Sequence, residues 1–326
     1  MNKRIQIILI ISFLCLPTFS GQFFHYGDEH TFWQFDVVRG EKNLEDGYYL
    51  QNFTCVREGK HSYVFVENGL DSNAMPTTEY VDALFQKFEE IYPIITEYFG
   101  PPSDLDNNER FIILISNIRD WFYYGMEVDE YTQPIQGYYW FQFNIMNKND
   151  YLTMDSKQNL VDATGTMAHE YFHNIFDNVN PDPINFKDRA VNEALAHYAV
   201  YINRTLELDS YIQWQFSILK KDLVKGKLLD PFDGMMDYFD IKNPDLHHCY
   251  AAGFLFIHYI ADEIIVDKYA KQDFFRKLIF ENVNASSKDK LISAMYKTGL
   301  ILDYEEFHNV YYNHFKKFLM RYFNMN

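Results

Sequence analysis

The chain has 326 residues, of which 48% are hydrophobic and 18% aromatic. That composition excludes an intrinsically disordered protein and leaves room for one large domain or two closely packed ones. A formal net charge of −17 argues against nucleic acid as a partner, because phosphate contacts need clustered Lys and Arg.

Residues 1–20 read as a signal peptide. Lys3 and Arg4 give a positive start, Ile5 to Leu16 form an apolar run of 12 residues, and Pro17-Thr18-Phe19-Ser20-Gly21 offers small residues for cleavage after Ser20. The run is too short to span a bilayer. The protein is therefore expected to be secreted or to sit in the cell envelope. A lipoprotein cut before Cys15 competes, but Leu14 stands where a small residue is usual. Without the leader the charge is −19 (27 basic residues against 46 acidic), which suits a soluble monomer. No later hydrophobic stretch reaches membrane-spanning length. Of the three cysteines, Cys15 lies in the leader, and Cys55 and Cys249 could pair or remain buried thiols. With no CxxC cluster, cysteine-bound zinc is not expected.

Residues 21–75 form a strand-rich N-terminal region, which could alternatively be a propeptide. Phe32–Val38, Tyr48–Leu50 and His61–Glu67 are extended segments, the last ending at the turn signal Asn68-Gly69. Thr77 to Phe99 has helical spacing, with Val81, Leu84, Phe85, Phe88, Ile91 and Ile95 recurring at three and four. Thr77 or Thr78 caps it, Pro93 is expected to kink it, and Gly100-Pro101-Pro102 stops it. Asp104-Leu105-Asp106-Asn107-Asn108-Glu109 resembles a fragment of a calcium loop. It lacks the glycine and distant glutamate of such a loop and reads as a solvated turn. Phe111–Ser116 is a buried strand, and Tyr138–Asn144 and Tyr151–Met154 are further strands.

Next comes His169-Glu170-Tyr171-Phe172-His173, an H-E-x-x-H pattern in a helix that Asp162 or Thr164 could cap. Residues four apart share one helix face, so His169 and His173 can offer nitrogens to one metal ion. Glu170 projects beside that ion, where it can take a proton from an activated water. A helix with two partly buried histidines is the competing reading. A second helical segment, Ala190–Ala199, carries Glu193 after 19 intervening residues, preceded by Asn192. That spacing and the Asn-Glu dipeptide resemble the third-ligand segment of the Glu-zincin metallopeptidases. Two histidines and a glutamate leave zinc's fourth position open, as in catalytic sites.

The chain resembles hyicolysin-type neutral zinc metallopeptidases within that group. The likeness rests on His61–Glu67, Phe88–Pro93, Phe111–Ser116, Gly137-Tyr138-Tyr139, Tyr151–Asp155, Ala168–His173 and Val191–Ala199. It runs over residues 50–265, and only the zinc motifs in it are specific. It implies an α+β fold with a thermolysin-like zincin core. It also implies one catalytic zinc on His169, His173 and Glu193, with Glu170 as general base, in a secreted endopeptidase acting on protein or peptide substrates. The chain then divides into a leader (1–20), the strand-rich region (21–75), a catalytic core (76–205) and a helical part that closes the cleft (206–326).

One position departs from the superfamily. Four residues after the glutamate ligand, where an acid often supports a ligand histidine, stands His197. It could accept a hydrogen bond, touch metal or substrate, or merely lie on a nearby helix face. Beyond Tyr201 the spacing is helical over Glu207–Val224, Leu246–Glu263, Lys271–Glu281, Lys288–Thr298 and Tyr304–Phe323. By likeness to related enzymes, Tyr250, with His248 second, is the candidate for steadying the oxyanion; a core tyrosine at a helix start is the alternative. The strand around Tyr138–Phe143 is expected to present an edge to an extended substrate. A catalytically silent surface protein on this scaffold would be expected to have lost Glu170. An aminopeptidase would need a Gly-rich loop with an acid for the free amine, and no such loop precedes His169.

Overall fold

The computed structural model describes residues 21–127, 133–179, 188–203, 208–224, 232 and 246–323. The leader expected at 1–20 lies outside the described residues, as does Glu207.

A six-stranded mixed sheet forms the frame, in the order β1 (Glu29–Phe35), β2 (Tyr48–Glu58), β3 (Ser62–Glu67), β4 (Phe111–Ser116), β6 (Tyr151–Asp155) and β5 (Gly137–Tyr138). β1, β2 and β3 pair antiparallel, β3–β4 and β4–β6 pair parallel, and β5 runs antiparallel along the edge of β6. Every residue of β4 is buried, as its unbroken apolar run requires of a central parallel strand covered on both faces. The pleat sends alternate residues to two cores. Val64, Val66, Ile113 and Ile115 join the helical side, while Tyr63, Phe65, Ile112 and Leu114 join a smaller aromatic cluster with Phe24, Phe32, Phe53 and Phe143.

A parallel pair needs a crossover, and α1 (Thr78–Phe99) supplies the one between β3 and β4. The Thr77 hydroxyl accepts the Tyr80 N–H at 3.2 Å. The helix runs on through Pro93 and ends at Gly100, whose φ of +112° suits a residue without Cβ. Two sequence expectations fail nearby. Tyr138–Asn144 is not one strand: β5 ends at Tyr138, and Phe141–Asn147 is a helix, α2, whose Phe143 plugs the aromatic cluster. A short apolar run fits either state by periodicity, and here packing against the sheet decides. The 104–109 turn is not simply solvated either, since Asp106 and Asn108 are buried.

Further helices are α3 (Leu160–Val179), α4 (Arg189–Ile202), α5 (Leu208–Val224), α6 (Leu246–His258), α7 (Lys268–Phe280), α8 (Ser287–Lys297), α9 (Tyr304–Asn309) and α10 (Lys316–Tyr322), and single turns at Val37–Gly40 and Leu44–Gly47 lie between β1 and β2. α6 and α10 are each joined to a wider π turn, Tyr259–Ile264 and Val310–Phe315. The Asn159 side chain, rather than Asp162 or Thr164, caps α3 by accepting the Asp162 N–H at 3.0 Å. Cys55 lies in the aromatic cluster and Cys249 in the helical core, so they are buried in separate cores and form no disulfide. Among the described residues, no helix is long and apolar enough to cross a membrane.

Because β1–β3 form half of the sheet, removing residues 21–75 strips β4 of a neighbour and opens the aromatic cluster. A chain that begins at residue 76 is expected to lose its near-UV circular dichroism and to aggregate on gel filtration. A monomeric, ordered product would show that this region is a detachable propeptide.

Candidate active site

The H-E-x-x-H segment sits in the middle of α3, and its two unspecified residues lock it in place. The Tyr171 ring packs at 5.1 Å from Phe88 and 5.1 Å from Phe111, and its hydroxyl lies 3.1 Å from Thr96 Oγ1. Phe172 meets Phe99 edge-on at 4.8 Å. With those two residues turned to α1 and β4, His169, Glu170 and His173 are left on the opposite side.

α4 packs beside α3 and faces it with Glu193. Glu193 Oε2 lies 3.2 Å from His169 Nε2 and 3.8 Å from His173 Nε2. All three ligand atoms fall within 4.8 Å of one another. The other carboxylate oxygen, Oε1, is 3.7 Å from Arg189 Nε, one helical turn back along α4. Arg189 thus occupies one oxygen of Glu193 and leaves the other to the imidazoles. His173 Nδ1 is 2.8 Å from the Asn192 amide oxygen. With that acceptor, Nδ1 carries the proton and Nε2 presents a lone pair, the tautomer a metal ligand needs.

The electrostatics agree. Burial pushes the Glu193 carboxyl up, but the hydrogen bond from His169 and the charges of His169 and Arg189 outweigh it and hold the group well below the usual carboxylate range. Burial lowers His173, keeping it neutral. Burial also lowers His169, but Glu193 and Glu170 outweigh it and raise the balance. Two imidazole nitrogens and an ionised carboxylate fit zinc, with room for a fourth ligand.

Glu170 lies under the sheet edge, and its Oε2 accepts the Tyr139 N–H at 2.8 Å. Gly137 makes this possible, because a Cβ there would meet Thr166 Cγ2 at 2.7 Å and Thr153 O at 2.9 Å. Two residues along a strand advance about 6.6 Å, and four along a helix about 6 Å. Gly137 over Thr166 and Tyr139 over Glu170 therefore stay in step along α3.

Tyr250, on α6, reaches the same site. Its phenol is raised well above the usual tyrosine range, by burial first and then by Glu193, so it stays protonated. Arg189 acts on the same phenol in the opposite sense, and burial outweighs it. His248 is two residues away on the same helix, roughly opposite in direction, so it and Tyr250 cannot both face the site. His197 packs edge-on against His169 at 4.9 Å and lies 5.6 Å from the Tyr250 ring, outside the converging triplet.

Sequence reading missed Arg189, Asn192 as a partner of His173, and the Tyr139 N–H. For Arg189 a signal existed, since it stands four residues before Glu193 on one helix face.

Asn192→Ala removes the acceptor that fixes the His173 tautomer. It is expected to weaken zinc affinity about 10–100-fold in competition with a chelating dye.

No protein-family profile matches this chain, and no curated protein matches it. Among solved structures it is similar to a mutant of the M1 zinc metallopeptidase from Deinococcus radiodurans, at 12% identity and a TM-score of 0.48, over 88% of this chain and 61% of that one. The M1 zinc metallopeptidase from the same organism without that mutation is similar at 12% identity and a TM-score of 0.45, over 83% of this chain and 49% of that one. The chain spans between half and three fifths of those proteins. These structural neighbours are zinc metallopeptidases, and a likeness this slight leaves the function to the geometry of the site.

Proposed function

We propose that the chain is a secreted zinc metalloendopeptidase, monomeric, with His169, His173 and Glu193 holding one zinc ion. The observation that carries the reading is the convergence of both Nε2 atoms on a single oxygen of an ionised, buried Glu193. When bound there, zinc supplies Lewis acidity toward a carbonyl and makes a water acidic enough to react near neutral pH.

The chain's own residues do the rest. Glu170, held by the Tyr139 N–H, takes the proton of the attacking water and hands it to the departing amine as the C–N bond breaks. Tyr250 donates its phenol proton in a hydrogen bond to the oxygen of the former carbonyl as charge develops on it. β5 is the last described strand of the sheet, and an extended peptide adds along it. The endopeptidase reading rests on the sequence, in which no Gly-rich loop with an acid for a free amine precedes His169. The leader read at residues 1–20 supports secretion.

The test pairs elemental analysis with cleavage of casein and of N-terminally blocked peptides. Wild type is expected to contain one zinc and to cut both. Glu170→Ala should keep its zinc and lose about 10²–10⁴-fold in rate. Tyr250→Phe should lose about 10²–10³-fold in kcat with KM little changed. A zinc-free protein would sink the reading, and cleavage restricted to peptides with a free amine would make the enzyme an aminopeptidase.

A further inference from the structure

The loop that joins α1 to β4 brings a second group of ligand-type side chains together with the start of β6. Oxygens of Asp104, Asp106 and Asp150 lie within 4.8 Å of one another. Two oxygens bound to one calcium ion at about 2.4 Å can be no more than about 4.8 Å apart, so the three fit around one ion.

Asp106 gives the independent sign of a missing ligand. It is 8% exposed, and while its Oδ2 accepts from Asn108 Nδ2 at 2.7 Å, its Oδ1 has no hydrogen-bond partner. Buried carboxylate oxygens are ordinarily satisfied, and one left bare is costly. The charged groups that act on it are Asp150 and Asp104, both of its own sign. Among the described residues none of the three carboxylates pairs with a Lys or Arg.

The surroundings hold the group in shape. Asp150 Oδ2 accepts the Leu105 N–H at 2.5 Å, and its Oδ1 accepts from Ser103 Oγ and, at 3.2 Å, from Asn174 Nδ2. Asp104 Oδ1 accepts the N–H groups of Asn108 and Glu109 at 3.0 and 3.2 Å. Asn174 follows the ligand residue His173 on α3, and its Oδ1 accepts the Ser103 N–H at 3.0 Å.

We propose that Asp104, Asp106 and Asp150 bind one calcium ion that fastens the loop after α1 to the start of β6 and, through Asn174, to the helix carrying H-E-x-x-H. All-oxygen donors suit a hard cation, not zinc. Calcium accepts a loose shell of oxygens, so three carboxylates from two segments suit it. Magnesium demands near-ideal octahedral geometry and keeps most of its water. The site is separate from the zinc centre and does not depend on the peptidase reading.

The experiment is isothermal titration of the zinc-loaded full chain with calcium chloride, with zinc measured in the same samples. One calcium per chain is expected, with a Tm several degrees higher in its presence. Asp106→Asn should abolish the uptake. That variant removes a buried charge and could disturb folding, so Asp104→Asn, at an exposed residue, carries the test on its own. It keeps the oxygen that caps Asn108 and Glu109 and should weaken calcium about tenfold or more, with zinc content and near-UV circular dichroism unchanged. Absence of saturable uptake up to about 5 mM, above the weakest affinities of extracellular calcium modules, overturns the proposal. So does wild-type affinity in both variants, or equal binding of magnesium. Since zinc is read independently, failure here leaves the peptidase reading standing.

Discussion

The site depends on one buried carboxylate. Glu193 is taken out of water by the contact of α3 with α4, and burial alone would drive it to its neutral acid. A lone ion in that position costs several kcal/mol, and losing one partner of such a pair costs about 3–5 kcal/mol. What keeps it ionised is the His169 imidazole on one oxygen and Arg189 on the other. Sliding α4 along α3 by one residue moves Glu193 about 1.5 Å and turns it by about 100°, which would carry it away from both imidazoles while Arg189 travels with it. Tyr198 of α4, packed against Phe99 of α1 and Phe275 of α7, opposes that slide, while Tyr171 and Phe172 hold α3 against α1 and β4. The core and the electrostatics thus fix the same helix register, and each would be costly to change alone.

Much of this frame was legible in the sequence because it is local. β4 has the bounds its apolar run predicted, α1 differs by one residue, and the helical runs from residue 246 on, with their π turns included, fall within three residues of their periodic segments at either end. The stretch after β5 was misread for a physical reason. Gly137 to Met146 is mostly aromatic and aliphatic, so neither period stands out, and the choice of helix at Phe141 is made by Phe143 filling a hole in a cluster built from five strands and Phe24. β2 was also underestimated. Only Tyr48–Leu50 showed as extended, because Asn52, Thr54 and Arg57 interrupt the apolar character, yet the strand runs on to Glu58 by pairing with β1 and β3.

At the site the division is similar. His169, His173 and Glu193 were readable because i,i+4 placement and a fixed spacing survive in one dimension. The Tyr139 N–H was not, since a backbone donor leaves no residue type to find, and its position depends on Gly137 letting the edge strand close on Thr166. The acidic loop was underrated for a related reason. Its sequence lacks the glycine and glutamate of a continuous calcium loop, and its third carboxylate, Asp150, comes from 44 residues beyond Asp106.

The departure at His197 now has a physical sense. Where an acid was expected to support a ligand histidine, a ring packs edge-on against His169 instead. The support seen for His173 comes from the amide oxygen of Asn192, a neutral acceptor, while Arg189 draws charge from Glu193. A carboxylate behind an imidazole raises its basicity, and an amide does so less. On the zinc reading, this ligand set donates less charge to the ion than one backed by acids. The ion is then held less tightly and keeps more of its positive charge for the carbonyl it polarises. Firm binding and strong polarisation pull in opposite directions here, and the neutral support places this site toward polarisation. The placing of Glu193 by Arg189 then matters more, since it is the only full negative charge among the ligands.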